Sequence, residues 1–174
     1  MAEFVRVLRN RNHLHRTDAD ASLPSGEVKS DAFSSFQTMD GRISLYRLDG
    51  RGPNLRRILA AYALTRDKLE RVDYVLIDDE FLSQFGATLD PTSRGATPDE
   101  GVNSVHEDLE IFTARRLFEL VCGLWESVRL GRCETIDLFE TVKIGLESNL
   151  IDRDRIKKET MIESLRKGLR RAFL

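Results

Sequence analysis

The apolar and polar positions of this chain change period several times, and each change marks an element. Between Glu3 and Arg9, the β-formers Phe4, Val5, Val7 and Leu8 are interleaved with Arg6 and Arg9, which predicts a strand with a charged face. Arg42-Ile43-Ser44-Leu45-Tyr46-Arg47-Leu48 follows a Met39-Asp40-Gly41 turn and alternates strictly as far as Tyr46, predicting a half-buried strand. Val72 to Ile77 is nearly continuous in apolar character, the pattern of an internal strand covered on both faces. Ala87-Thr88-Leu89 predicts one more brief strand.

Helical spacing governs the rest. Leu55, Ile58, Leu59, Tyr62 and Leu69 predict an amphipathic helix from Asn54 to Glu70 with Asn54 as its cap. Asp79 to Phe85 predicts a short helix ended by Gly86. Beyond Glu110, Leu117, Leu120, Val121, Leu124, Trp125 and Val128 form a wide apolar stripe from Thr113 to Arg129; a Leu130-Gly131-Arg132 break, a helix from Thr135 to Ser148 and another from Ile151 to Phe173 follow. Asn10 to Asp40 is rich in Ser, Asp, Asn and Gly, predicting a long ordered loop or several short elements, and Asp90 to Asn103 is rich in turn formers. The sum is an α+β fold in a single domain: a small mixed sheet in the N-terminal half, residues 1–110, packed against a helical C-terminal half, residues 111–174.

Composition narrows the class further. The 174 residues are 41% hydrophobic and 32% charged, the balance of a soluble globular domain. Such a chain buries roughly two-thirds of its unfolded surface, so a core needs neither metal nor disulfide. A net charge of -2 gives no bulk attraction to nucleic acid or membrane. The two cysteines, Cys122 and Cys133, form neither a disulfide framework nor a zinc motif. Arg6, Arg9 and Arg11 interrupt any secretory h-region, and the most apolar windows, Ile58 to Leu64 and Leu117 to Trp125, fall short of the roughly 20 residues of a membrane span. The expectation is a reducing, cytoplasmic setting, with no cofactor called for.

Charge is local rather than global. Acids dominate from Asp67 to Glu110, while the tail from Ile151 carries a run of bases that includes Lys167, Arg170 and Arg171. A helix with Ile162, Leu165, Leu169 and Phe173 on one stripe and these cations on the others suits a partner protein, self-association, nucleic acid or an anionic surface; it equally suits a helix that completes the chain's own core.

Candidate chemistry gathers on the histidines. His13 and His15 would project from one face if Asn12 to Arg16 were extended, and His106 precedes Glu107 and Asp108, so the three offer proton transfer or a divalent-metal site. The plain alternative is hydrogen-bonded histidines in polar loops, and no metal site is assigned. Asp78-Asp79-Glu80 follows the apolar strand, where carboxylates hold Mg²⁺ in open sheets, yet an N-cap explains the same run. Thr97-Pro98-Asp99-Glu100 reads as a helix start with Thr97 capping. Walker-type loops, G-x-G-x-x-G after a strand, G-x-S-x-G and H-E-x-x-H are all absent.

Ser30, Ala32 and Phe33, followed by Ile43 to Arg47 and, much later, His106, form a pattern similar to one in small, mostly uncharacterised bacterial proteins, where a Ser-x-Ala-Phe segment precedes a Leu-Ser-Val-Tyr-like strand and a His follows. The resemblance covers the first 110 residues thinly and implies no established activity. The same residues have a structural reading, in which Ala32, Phe33 and Phe36 plug the core beneath a loop. The early Arg-rich strand, the Ser/Tyr strand and the later acidic segment also resemble the compact domains of ADP-ribosyltransferases. That likeness implies Arg9 or Arg11 for dinucleotide phosphates, Tyr46 to stack on nicotinamide and Glu107 for the ribose.

Three classes of function emerge. The first is a non-catalytic bacterial interaction or regulatory module that acts through its helical half. The second is an enzyme for a nucleotide or phosphoester, with catalytic candidates His13, His15, Tyr46 and His106 and binding candidates Arg9 and Arg11; it requires these groups to converge in one cleft. A nucleic-acid binder using Lys167, Arg170 and Arg171 is the third possibility.

Overall fold

The computed structural model describes residues 2–15, 23, 27–36, 40–50, 52–86, 88–91, 95–111, 113–127 and 129–172. Six strands form one sheet: β1 (Glu3–Leu8), β2 (Arg42–Leu48), β3 (Val72–Asp78), β4 (Leu89–Pro91), β5 (His106–Glu110) and β6 (Arg129–Cys133). Their order is β4-β5-β2-β1-β3-β6, and every pairing is antiparallel. The helices are α1 (Leu55–Ala63), α2 (Asp79–Gln84), α3 (Glu100–Asn103), α4 (Ala114–Ser127), α5 (Thr135–Glu147) and α6 (Glu159–Ala172). The fold is therefore α+β, as the sequence pattern predicts, but the sheet is antiparallel throughout instead of mixed and takes β6 from the C-terminal half; none of the described helices is long and apolar enough to cross a membrane.

Strand alternation divides the core in two, because successive side chains point to opposite faces. Val5, Val7, Tyr46, Leu48 and Val72 pack on one face against α1, α5 and α6. Phe4, Leu8, Ile43, Leu45, Val75 and Ile77 pack on the other against α2 and α4. The helical half is thus split between the two faces rather than stacked as one layer. Ala32, on the turn Ser30–Ser35, and Phe36, just after it, are sealed into the second cluster, with Phe33 packed at its edge and stacked on Phe118. The Ser-x-Ala-Phe segment is a core plug.

Several local expectations are corrected. The Leu130-Gly131-Arg132 break is strand β6, paired with β3 so that Gly131 lies opposite Tyr74. His106 to Asp108 is strand β5 rather than polar loop. Helix α1 stops at Ala63, and the Asn54 side chain does not cap it; Asn54 instead accepts from the Asp49 N–H and donates to the Arg47 carbonyl, closing the turn before the helix. At the start of α3 the cap is Asp99, which accepts from the Val102 N–H, while Thr97 lies two residues earlier and accepts from the Asp99 N–H. Asp78 does cap α2, accepting from the Phe81 N–H at 2.8 Å. Helix α6 begins at Glu159, after a short turn at Arg153–Arg155. Its stripe holds the buried Leu165 and the half-buried Ile162, while the Leu169 side chain and Phe173 lie outside the described residues.

Candidate functional site

The first sheet face is apolar across β1 and β3 and turns polar across β2 and β5. The register explains the change: Arg42 faces Glu110, Ser44 faces Asp108 and Tyr46 faces His106. All six project to the same side, since each strand contributes every second residue. Five of them, Arg42, Ser44, Tyr46, His106 and Asp108, build with Asp40 the floor of a cleft of about 350 Å³. Tyr62 and Thr65, at the end of α1, and the Gly95-Ala96-Thr97 strap complete its walls.

The strap is fixed by a small buried network. Asn103 Oδ1 accepts from the Thr97 N–H at 3.1 Å and from the Thr97 hydroxyl at 2.8 Å, and Asn103 Nδ2 donates to the Thr97 carbonyl at 3.0 Å. Gly95 is needed there, because a Cβ would lie 2.5 Å from Asn103 Oδ1. Satisfied buried networks of this kind rigidify what they hold.

His106 is 6% exposed, and its ring meets the Tyr46 ring edge-on at a centroid distance of 5.1 Å. Its Nε2 lies 3.7 Å from Asp108 Oδ1, which also accepts from the Ser44 hydroxyl at 3.4 Å. The carboxylate, the imidazole and the phenol ring thus adjoin one another on the cleft floor. Burial pushes the Tyr46 phenol up to about 12, with Tyr62 adding to the shift and Arg6 opposing it, so Tyr46 remains a neutral hydrogen-bonding group at ordinary pH.

Arg6 stands behind this floor, not on a charged outer face of β1 as its alternation predicts. Strands β1 and β2 pair only over Glu3–Val5 and Tyr46–Leu48. Past that point the Arg6 guanidinium supplies the connection, donating to the Ser44 carbonyl at 3.0 Å and the Ser35 carbonyl at 3.2 Å. Its Nε is sealed from solvent with no acceptor among the described residues. Burial lowers its pKa, against the opposing influence of Tyr62, Tyr46 and Asp108.

Of the predicted catalytic residues, the structure brings together Tyr46 and His106 alone. His13 belongs to the turn Arg11–His13, not to an extended segment, and its Nδ1 lies 3.3 Å from Ser35 Oγ. His15 is exposed beyond that turn, so the two histidines do not share a strand face. Arg9 is exposed past the end of β1, and the Arg11 side chain lies outside the described residues. Glu107 points to the opposite sheet face from His106 and pairs with Arg47, which removes it from the ribose role that the ADP-ribosyltransferase likeness implies. Lys167 sits on α6 at a different groove, and the side chains of Arg170 and Arg171 lie outside the described residues. Among the described residues no group of three or more His, Cys, Asp or Glu is placed to hold a metal ion.

Asp108, Ser44, Tyr62 and Asp40 are site residues that the sequence reading passed over. Asp108 carried a usable signal: two residues after His106, it must share its face if the segment is a strand. Tyr62 carried none beyond its place on an amphipathic helix. Comparison of the chain with protein-family models, curated proteins and solved structures finds no match.

Proposed function

We propose that this chain binds a small polar organic molecule in the cleft between β2, β5 and the end of α1, and exchanges a proton with it through His106. The observation that supports this is the convergence of Tyr46, His106 and Asp108, from facing positions of adjacent strands, on one cleft. Asp108 sets a carboxylate beside the imidazole, Tyr46 presents a neutral phenol next to it, and the Gly95–Thr97 strap walls the cleft. The lining sets Asp40 and Asp108 against Arg42, which itself lies 3.7 Å from Glu110. That balance disfavours a phosphoester and favours a ligand bearing an amine or guanidinium group.

The test is a titration of the isotope-labelled full chain, followed by NMR, with L-arginine, putrescine, AMP and ADP-ribose as separate probes. The expected result is that a cationic probe shifts the His106 and Tyr46 resonances, and that His106→Gln and Asp108→Asn each weaken its binding. Probes that leave both resonances unmoved, or that bind His106→Gln as they bind the parent chain, would overturn the proposal. Preferred binding of AMP or ADP-ribose in the cleft would overturn the assignment of a cationic ligand.

A further inference from the structure

The cleft on β2 and β5 shares a wall with a second hollow. Tyr62 and Thr65, which close the cleft on the α1 side, also line a concavity that continues over Arg66, Asp67, Lys68, Glu70 and Lys158. The chain tightens there as α1 stops at Ala63: the N–H groups of Leu64, Thr65 and Arg66 reach back to the carbonyls of Ala60, Tyr62 and Ala63. The Thr65 hydroxyl donates to the Tyr62 carbonyl at 2.7 Å, so it has no proton left for a ligand.

Charge in the second hollow is mixed, three bases against two acids, and Asp67 is paired with Lys158 at 2.9 Å. Arg66 is set apart by its seat. It is half-buried where its four charged neighbours in the hollow are exposed, and its Cζ lies 5.3 Å from the centre of the Tyr62 ring. A guanidinium over an aromatic ring uses its face for that contact and keeps its N–H donors, which lie in the plane of the group, for other partners. Among the described residues no carboxylate takes them. A cation near a helix end also complements the dipole, but that role asks for charge alone and not for a planar group held against a ring.

We infer that Arg66 is the specificity-determining residue of the cleft: it takes the carboxylate of a ligand whose amine or guanidinium end lies among Asp40, Tyr46 and Asp108. The ligand class is then an amino acid with a cationic side chain, not a simple amine. This inference rests on the cationic-ligand reading of the cleft. Arg42 offers a second guanidinium, but it shares the floor with Asp40 and Asp108, which repel an anion, and it lies 3.7 Å from Glu110. Lys68 is an exposed point charge on a flexible stem and cannot grip a carboxylate with two parallel bonds.

L-arginine and agmatine are the probes that test it, because they differ only in the carboxylate. Each is titrated into the isotope-labelled full chain, with the His106 and Tyr46 resonances as the readout. Agmatine carries the larger positive charge, so the field of the acids alone would favour it. The expected result is the reverse, with L-arginine bound about three- to tenfold tighter. Arg66→Gln is expected to abolish that preference while binding agmatine as the parent chain does, which also shows that the variant is folded. Agmatine bound by the parent chain as tightly as L-arginine, a preference that survives in Arg66→Gln, or an Arg66→Gln variant that loses both probes alike would each overturn the inference and leave the cationic-ligand reading standing. Two probes that both leave His106 and Tyr46 unmoved would overturn the two together.

Discussion

Arg57 on α1 grips Asp99 at the start of α3 with two parallel hydrogen bonds, Nε to Oδ2 at 2.6 Å and Nη2 to Oδ1 at 2.7 Å. Asp99 is fully buried, and the same carboxylate caps α3 through the Val102 N–H. The pair ties the helix that carries Tyr62 to the segment that carries the Thr97 strap, adding a charge contact between the two walls to the Thr97–Asn103 network that fixes the strap. Its strength is visible in Arg57, whose pKa is raised first by the hydrogen bond to Asp99.

Removing this carboxylate leaves an uncapped helix and a cation without its partner. Asp99→Ala is expected to cost about 2–3 kcal/mol, reduced from the value for a fully buried pair because the Arg57 side chain is 37% exposed and partly screened by water. Asp99→Asn keeps an acceptor for the Val102 N–H and is expected to lose about half as much. Urea denaturation of the three proteins checks the order; equal stability of Asp99→Ala and the parent chain would show that the strap is held by other contacts.

Tyr46 gives the fold an alkaline weakness. Its phenol ionises at about 12 in the folded chain, against about 10 when unfolded. Between these values the unfolded chain has released a proton that the folded chain keeps, so the contribution is intact below about pH 10 and is lost as pH rises toward about 12. Each unit of rise corresponds to about 1.4 kcal/mol. Tyr46→Phe is expected to flatten this fall by roughly that amount at about pH 11, while Tyr74, whose pKa burial also raises, keeps some residual slope in both proteins. Denaturation of parent and variant at neutral and alkaline pH checks it, and an identical pH dependence would refute it.

The strands legible in the sequence are those whose burial is paid for by apolar side chains. β1, β2 and β3 show their alternation or apolar run directly, and so do the stripes of α1, α4 and α5. β5 is hidden because four of its five residues, His106, Glu107, Asp108 and Glu110, are polar. Burial is tolerated there through cross-strand partners, Arg47 for Glu107 and Ser44 for Asp108, that a one-dimensional pattern does not display. β6 is hidden by Gly131, which reads as a break yet receives the Tyr74 ring from β3, where a Cβ would lie 2.1 Å from the ring. Arg6 alternates like an outward residue and is instead drawn in by main-chain carbonyls where β1 and β2 part. The cleft was therefore half legible: Tyr46 and His106 stood out by type, whereas their convergence and the roles of Asp108 and Tyr62 depend on a pairing that the missed strand supplies.

Gly168 poses two opposed effects at one position, and their sizes decide the sign. In the interior of α6, alanine is favoured over glycine by about 1 kcal/mol on helix propensity alone. The added Cβ, however, would fall 2.0 Å from the Phe139 ring, which is packed between α5 and α6. Displacing a ring from such a seat costs about 1–3 kcal/mol by overpacking. Gly168→Ala is therefore expected to lower stability by up to about 2 kcal/mol despite the better helix former. In a Phe139→Ala background the obstruction is gone, and the same substitution is expected to stabilise by close to its full propensity. A double-mutant cycle from thermal or urea unfolding isolates the two contributions; stabilisation by Gly168→Ala in the parent chain would mean that Phe139 does not rest on the α6 backbone.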